Sequence, residues 1–325
     1  PATTRIWVIG SAGTGDANAE AVAAAFESYT DETPVHAVLS LGDQATHGGT
    51  EDDLDCSFFD VYASRLRRTP VWPLLGNRDN DFREGKPHFD TFRLPAGGEC
   101  GGVPSGTEKY FSFDHANLHV LCLDAVDSNR EPGSPMLTWL AADLAATTSE
   151  WIVAVMHFGP YSRGESDSDT DIRATQIREH TIPLLEAGGV DLVLGAQSPS
   201  YERSALVDGF YSTPTLAGDG TVLDGGIGSG DSAYSKNAGA HRGTVYAIVG
   251  SSGKARPSPL DHPVMVAAQE SLGSMVIDIQ DNILTASFLT DSNTVEDTFT
   301  IVKGELSGFD AWRQFYFGGL PPAVD

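Results

Sequence analysis

Val35-His36-Ala37-Val38-Leu39-Ser40-Leu41-Gly42-Asp43 is an apolar run of one buried strand's length that breaks on a Gly-Asp pair. The same grammar recurs along the first two thirds of the chain. Strand-like residues 5–9 lead into Gly10-Ser11, residues 71–75 into Gly76-Asn77-Arg78-Asp79, residues 151–156 into His157, and residues 191–194 into Gly195-Ala196-Gln197. Helix-like stretches at 17–29, 58–68, 139–146 and 181–187 separate them. This alternation marks an α/β sheet protein. Each polar residue just past a strand falls on the carboxyl edge, where such sheets gather ligands and catalytic groups.

Beyond Ser204 the pattern turns to β, with strands expected at 244–249, 274–279, 283–289 and 298–302 completing a second sheet. The Gly-rich stretch 218–243 reads as long surface loops. Its Gly225-Gly226-Ile227-Gly228-Ser229-Gly230 lacks the Lys-Ser/Thr and the helix of a phosphate-binding loop. One domain is expected over 1–303, with 5–203 carrying the marked segments and 204–303 completing the second sheet. The tail 304–325, with Trp312, Phe315, Tyr316 and Phe317, is expected to pack on that body.

Lys and Arg number 20 against 45 Asp and Glu, for a formal charge of −25. Such a field repels nucleic acid and anionic lipid and suits salty or extracellular surroundings. Neither nucleic acid nor membrane is therefore an expected partner, and an exported location, periplasmic or extracellular, is favoured. No apolar run reaches the length of a membrane span, so a soluble protein is expected. Three cysteines are too few for a disulfide scaffold. Cys122 reads as a buried thiol, and pairing of Cys56 with Cys100 is left open.

The series Ser11, Asp43, Asn77-Arg78, His157 and Gln197-Ser198-Pro199-Ser200-Tyr201-Glu202-Arg203 resembles the metal grid of the calcineurin-like metallophosphoesterases, closest to their purple acid phosphatase branch. The resemblance covers residues 5–203. It implies a four-layer α/β sandwich, two mixed β-sheets flanked by helices, and a family chemistry of phosphate-ester hydrolysis by two metal ions. In that family the ligands come from Gly-Asp-x-Gly, Gly-Asp-x-x-Tyr, Gly-Asn-His, a strand-end His and Gly-His-x-His. Asp43 matches the bridging carboxylate, Asn77 the amide ligand and His157 the strand-end imidazole. Ser11 stands in place of the first Asp, Thr46 of the Tyr, Gln197 and Pro199 of the paired His, and Arg78 of the His after Asn.

One ion would keep Asp43, Asn77, His157 and Gln197; the other would keep Asp43 alone. Metal sites of this kind rely on three or four protein ligands, so the resemblance argues against a two-metal centre. A metal-free site is the leading expectation, with one divalent ion (Mn, Zn or Fe) as the alternative. Arg78 is expected to replace the missing cation by pairing with Asp43. Arg78 and His157 are the catalytic candidates, and Arg78, Ser11 and His47 the ligand-binding ones. The expected partner is a small anionic or polar molecule.

Three functional readings follow: a degenerate homologue that binds without ordinary phosphatase turnover, a one-ion phosphoesterase for mono- or diesters, and metal-independent chemistry in a reused pocket. An interaction protein whose surface alone matters is a fourth. Simpler roles stand beside these. Asp43 and Asn77 suit turns, His157 suits a satisfied buried histidine, and His47 an exposed loop. The acidic run 165–171 lacks the Gly and Glu of a calcium loop and reads as solvated. No Ser-His-Asp triad is implied for Ser11 or Ser162.

Overall fold

The computed structural model describes residues 3–30, 33–216, 218–229 and 232–304. The tail expected to pack on the body lies almost wholly outside these residues. Among the described residues, sixteen strands form in chain order. They are β1 Thr4–Ile9, β2 Ala37–Ser40, β3 Val71–Pro73, β4 Phe111–His115, β5 Leu118–Leu123, β6 Trp151–Met156, β7 Leu192–Gly195 and β8 Tyr201–Ser204. There follow β9 Leu206–Asp208, β10 Thr221–Asp224, β11 Tyr234–Lys236, β12 Val245–Val249, β13 Met265–Gln269, β14 Gly273–Gln280, β15 Ile283–Thr290 and β16 Val295–Lys303.

Two seven-stranded mixed sheets result, ordered β11-β16-β15-β14-β1-β2-β3 and β13-β8-β12-β7-β6-β5-β4, with β9 and β10 pairing separately. β1, β2 and β3 run parallel in the first sheet, and β5, β6, β7 and β12 in the second. The two mixed sheets and their helices are the architecture that the sequence implies. The C-terminal strands differ from expectation by dividing between the sheets. β12 and β13 join the second, whereas β14 pairs antiparallel with β1 and brings β15 and β16 into the first. Apolar alternation announces a strand but not the edge it pairs with, because backbone donors and acceptors are the same on every strand.

Successive residues of the second sheet serve two cores, as period-2 geometry requires. Val120, Cys122, Val153 and Val155 face the first sheet and join Val8, Leu39 and Met275. Leu121, Leu123, Ala154 and Met156 face outward onto Leu137, Leu140 and Leu144 of the Pro135–Ala146 helix and Ile182 and Leu185 of the Ile182–Ala187 helix. Burial on both faces is why these strands read as unbroken apolar runs.

Helical segments also begin earlier than the pattern suggests. Thr50 caps Glu51–Leu54, which continues through a π turn at Asp55–Phe59 to Ala63–Leu66. Asp171 caps Ile172–Gln176, which likewise continues through a π turn into Ile182–Ala187. Within 218–243, expected to be loop throughout, β10 and β11 form short strands.

Tyr201 and Arg203 of β8 fasten one sheet to the other. The Tyr201 ring stacks on Phe288 at 4.2 Å and its hydroxyl donates to Asp297 of β16 at 2.6 Å. Arg203, fully buried, donates to both Asp297 oxygens at 2.6 and 3.0 Å and to Tyr234 and Ile227. Removing one partner of a buried pair strands the other charge, at a cost of about 3–5 kcal/mol. Asp297→Ala is therefore expected to lose about that much stability in urea unfolding; a loss under about 1 kcal/mol contradicts this joint.

His119 of β5 locks the other end of the second sheet. Its Nδ1 lies 2.6 Å from Asp114 and its Nε2 2.9 Å from Asp143, with the ring 1% exposed. Burial pulls its pKa down, but hydrogen bonds to Asp143 and Asp114 outweigh burial and hold it above the ordinary value. The folded chain therefore keeps this proton where the unfolded chain releases it. Its stabilisation is complete below about pH 6.5, the ordinary histidine value, and is lost as pH rises through the higher folded value. A His119→Asn variant is expected to lose more thermal stability at pH 6 than at pH 9; equal losses contradict the ionised lock.

Candidate functional site

Parallel strands of both sheets end at one edge, and their terminal loops meet there. β2 delivers Gly42-Asp43, β3 delivers Gly76-Asn77, and β6 delivers His157. His157 is completely buried. Its Nδ1 lies 2.8 Å from the Leu41 carbonyl, which only accepts, so Nδ1 carries the hydrogen. Nε2 then faces Asn77 Oδ1 at 2.9 Å and Asp43 Oδ1 at 3.5 Å. Arg78 N–H donates to Asp43 Oδ1 at 2.8 Å. Three acceptor atoms thus converge with one donor among them, and a proton on Nε2 or a cation completes the arrangement. Ligand atoms of one first-row ion stand about 3.0–3.5 Å apart, given bonds of about 2.1 Å, and the two distances from Nε2 are close to that range.

Two glycines permit this approach. Gly42 sits at φ 94°, and a Cβ there would fall 2.5 Å from His157 Nδ1. At Gly76 a Cβ would fall 2.0 Å from the Asp43 nitrogen. Asp79, quoted in the sequence motif without a role, ties the same loops together. Its carboxylate accepts N–H donors from Asp43, Ala45 and Gly76, each at 2.8 Å. Burial and the nearby Asp43 charge push its pKa up to about 8, against the pull of those three donors. The legible signal was a carboxylate three residues after the turn glycine, able to reach back to the start of a helical turn.

The residues at the remaining grid positions bond to backbone carbonyls or line a neighbouring cavity. Ser11 Oγ donates to the Ala196 carbonyl at 2.9 Å, and Thr46 Oγ1 to the Gly13 carbonyl at 2.6 Å. Gln197 lines a small neighbouring cavity with Ser162, Ser166, Ser168 and Asp171. Pro199 has no side-chain donor to give. Of the side chains at these positions, only Asp43 would be left to a second ion placed as the resemblance implies.

Two further expectations change. The Arg78 guanidinium does not pair with Asp43; it is exposed and lies 3.6 Å from Asp81, and only its backbone N–H reaches the site. Residue 78 opens a helical turn, so its N–H points back at the preceding loop while its side chain points out. The His47 ring, 65% exposed, turns to Asp53 at 3.5 Å and does not join the site. Ser11, with its hydroxyl held by Ala196, offers no free donor to a ligand.

Around the site the polar residues satisfy one another. Ser162 Oγ donates to buried Glu202 at 2.5 Å. The acidic run is pinned as well as solvated: Asp169 pairs with fully buried Arg178 at 2.9 Å, and Asp171 caps a helix. Cys56 and Cys100 are exposed free thiols, and Cys122 is a buried one whose pKa burial pushes up. Glu186, Asp208 and His241 cluster within 4.8 Å beyond the amino end of β7, opposite the grid. There Glu186 already accepts from Tyr246, Tyr211 and Gly209, and Asp208 pairs with His241 at 3.0 Å.

Comparison with known proteins bears on the family and the fold. Residues 4–198 match the Calcineurin-like phosphoesterase family. An uncharacterized protein of Mycobacterium tuberculosis is 26% identical over 216 residues, which is 62% of this chain and 38% of that protein. Purple acid phosphatase 18 of Arabidopsis thaliana is 29% identical over 125 residues, 38% of this chain and 28% of that one. This chain thus spans well under half the length of these curated relatives. The purple acid phosphatase PPD1 of yellow lupin (Lupinus luteus) superposes with a TM-score of 0.75 at 15% identity, over 96% of this chain and 55% of that one. The chain belongs to the calcineurin-like phosphoesterase family.

Proposed function

We propose that this chain is a degenerate metallophosphoesterase homologue whose two-metal centre is reduced to one cation position, and which binds a small anionic ligand without ordinary phosphatase turnover. The observation that carries this reading is the asymmetry of the edge. Asp43, Asn77 and His157 converge at ligand spacing, while Ser11 and Thr46 spend their hydroxyls on backbone carbonyls.

A divalent ion held there would supply positive charge to an anionic ligand. Leu41 fixes the His157 tautomer so that Nε2 faces the cation position. The exposed Arg78–Asp81 pair is of a kind worth about 0–1 kcal/mol, so the guanidinium can leave it to meet the ligand's anion. The −25 charge favours a small ligand over nucleic acid or an anionic membrane.

The one-ion phosphoesterase stands as the second reading, because the same three donors support it. Metal-independent chemistry is disfavoured: His157 has no exposed surface, and both ring nitrogens already face oxygens.

Metal analysis of protein purified without chelator, with p-nitrophenyl phosphate assays in manganese, zinc and iron, tests the proposal. The expected result is at most one equivalent of metal, and hydrolysis no faster than that of Asp43→Asn. Two equivalents with Asp43-dependent turnover overturn it. One equivalent with Asp43-dependent turnover replaces it with the one-ion phosphoesterase.

A further inference from the structure

We infer that Asp79 is the positioning residue of the cation site, holding Asp43 in the backbone conformation from which its carboxylate meets Asn77 and His157. Asp43 sits at φ 60°, in the left-handed region that L-residues other than Asn and Asp rarely adopt. Such a conformation persists where the surroundings over-determine it. Asp79 does so from both sides of the residue. Its Oδ2 takes the N–H of Asp43 itself, its Oδ1 takes the N–H of Ala45 two residues on, and Oδ2 also takes Gly76 N–H from the loop after β3.

The clamp is reciprocal. Asp43 Oδ1 accepts the N–H of Arg78, one residue before Asp79. Each carboxylate therefore holds the backbone beside the other, and the two loops that carry Asp43 and Asn77 are fixed in one register. Asp79 itself is 2% exposed, so water does not replace it readily. Removing its carboxylate leaves three N–H groups without their acceptor. Such groups are normally paired when buried, so the Asp43 loop relaxes toward ordinary φ to find other partners. Asp43 Oδ1 then leaves its position 3.5 Å from His157 Nε2.

This rests on the proposed cation site for its binding readout and on geometry alone for its structural one. The experiment measures Mn2+ affinity by calorimetry for wild type, Asp79→Asn and Asp79→Glu, with crystal structures of wild type and Asp79→Asn. Asparagine keeps one acceptor oxygen and turns an NH2 against the N–H donors; glutamate keeps both oxygens. The expected result is a 10–100-fold weaker Mn2+ affinity for Asp79→Asn, the range typical of lost outer partners, with most of it recovered by Asp79→Glu. In the Asp79→Asn crystal, Asp43 is expected outside the left-handed region. Affinity within twofold of wild type, or an unmoved Asp43, overturns the inference. If wild type binds no Mn2+, the cation reading fails, and the position of Asp43 in the variant crystal decides the inference by itself. Should Asp79→Asn not fold, Asp79→Ser is judged by the same two readouts.

Discussion

The hydrogen bond from His157 Nδ1 to the Leu41 carbonyl joins the carboxyl ends of the two sheets, and the rest of the site depends on it. β6 ends in one sheet and β2 in the other, so this bond fixes how far apart their terminal loops stand. It closes only because Gly42 has no Cβ to fill the space that the imidazole occupies. Once the ring is fixed, Nε2 has a single direction to face, and Asn77 and Asp43 arrive there from the neighbouring loops.

The two halves of the grid are held by different kinds of hydrogen bond. Ser11 and Thr46 found backbone carbonyls within reach, and a short hydroxyl bonded to a carbonyl is a satisfied group that asks for no ion. Asp43 has no such exit. Its carboxylate is nearly buried, with an N–H on one oxygen and an imidazole close by, and replacing it would also unseat the register of two loops. Residues whose loss leaves buried donors unpaired are held in place by folding itself, whether or not the old chemistry continues.

Structure away from the edge follows the same economy of buried polar groups. Arg203 with Asp297, Arg178 with Asp169, and His119 between Asp114 and Asp143 each bring a charge inside only with its partners in place. In a chain of net charge −25, the buried cations are spent on joints between elements, and the freer Arg78 lies at the mouth of the site.

Much of this was legible in the residues. Apolar runs of strand length, helical stretches between them, and a polar residue at each strand's end determined an α/β sheet protein and the edge where its chemistry lies. The family resemblance then named Asp43, Asn77 and His157, which the structure brings together. Side-chain direction was not legible. Arg78 was assigned to Asp43 by charge, yet the helical turn that begins there sends its backbone toward Asp43 and its guanidinium to Asp81. The place of Asp79 three residues after Gly76 signalled only its bond back to that glycine; its bonds to the backbone N–H groups of Asp43 and Ala45 were hidden, because every residue has such a group and no sequence displays its partner. Which sheet receives β14, β15 and β16 was equally hidden, for the same reason. The sequence by itself determined which elements form and which chemical groups reach the edge, because both follow from local pattern. Only the tertiary structure decided which groups meet, because hydrogen-bond partners are chosen by position in space.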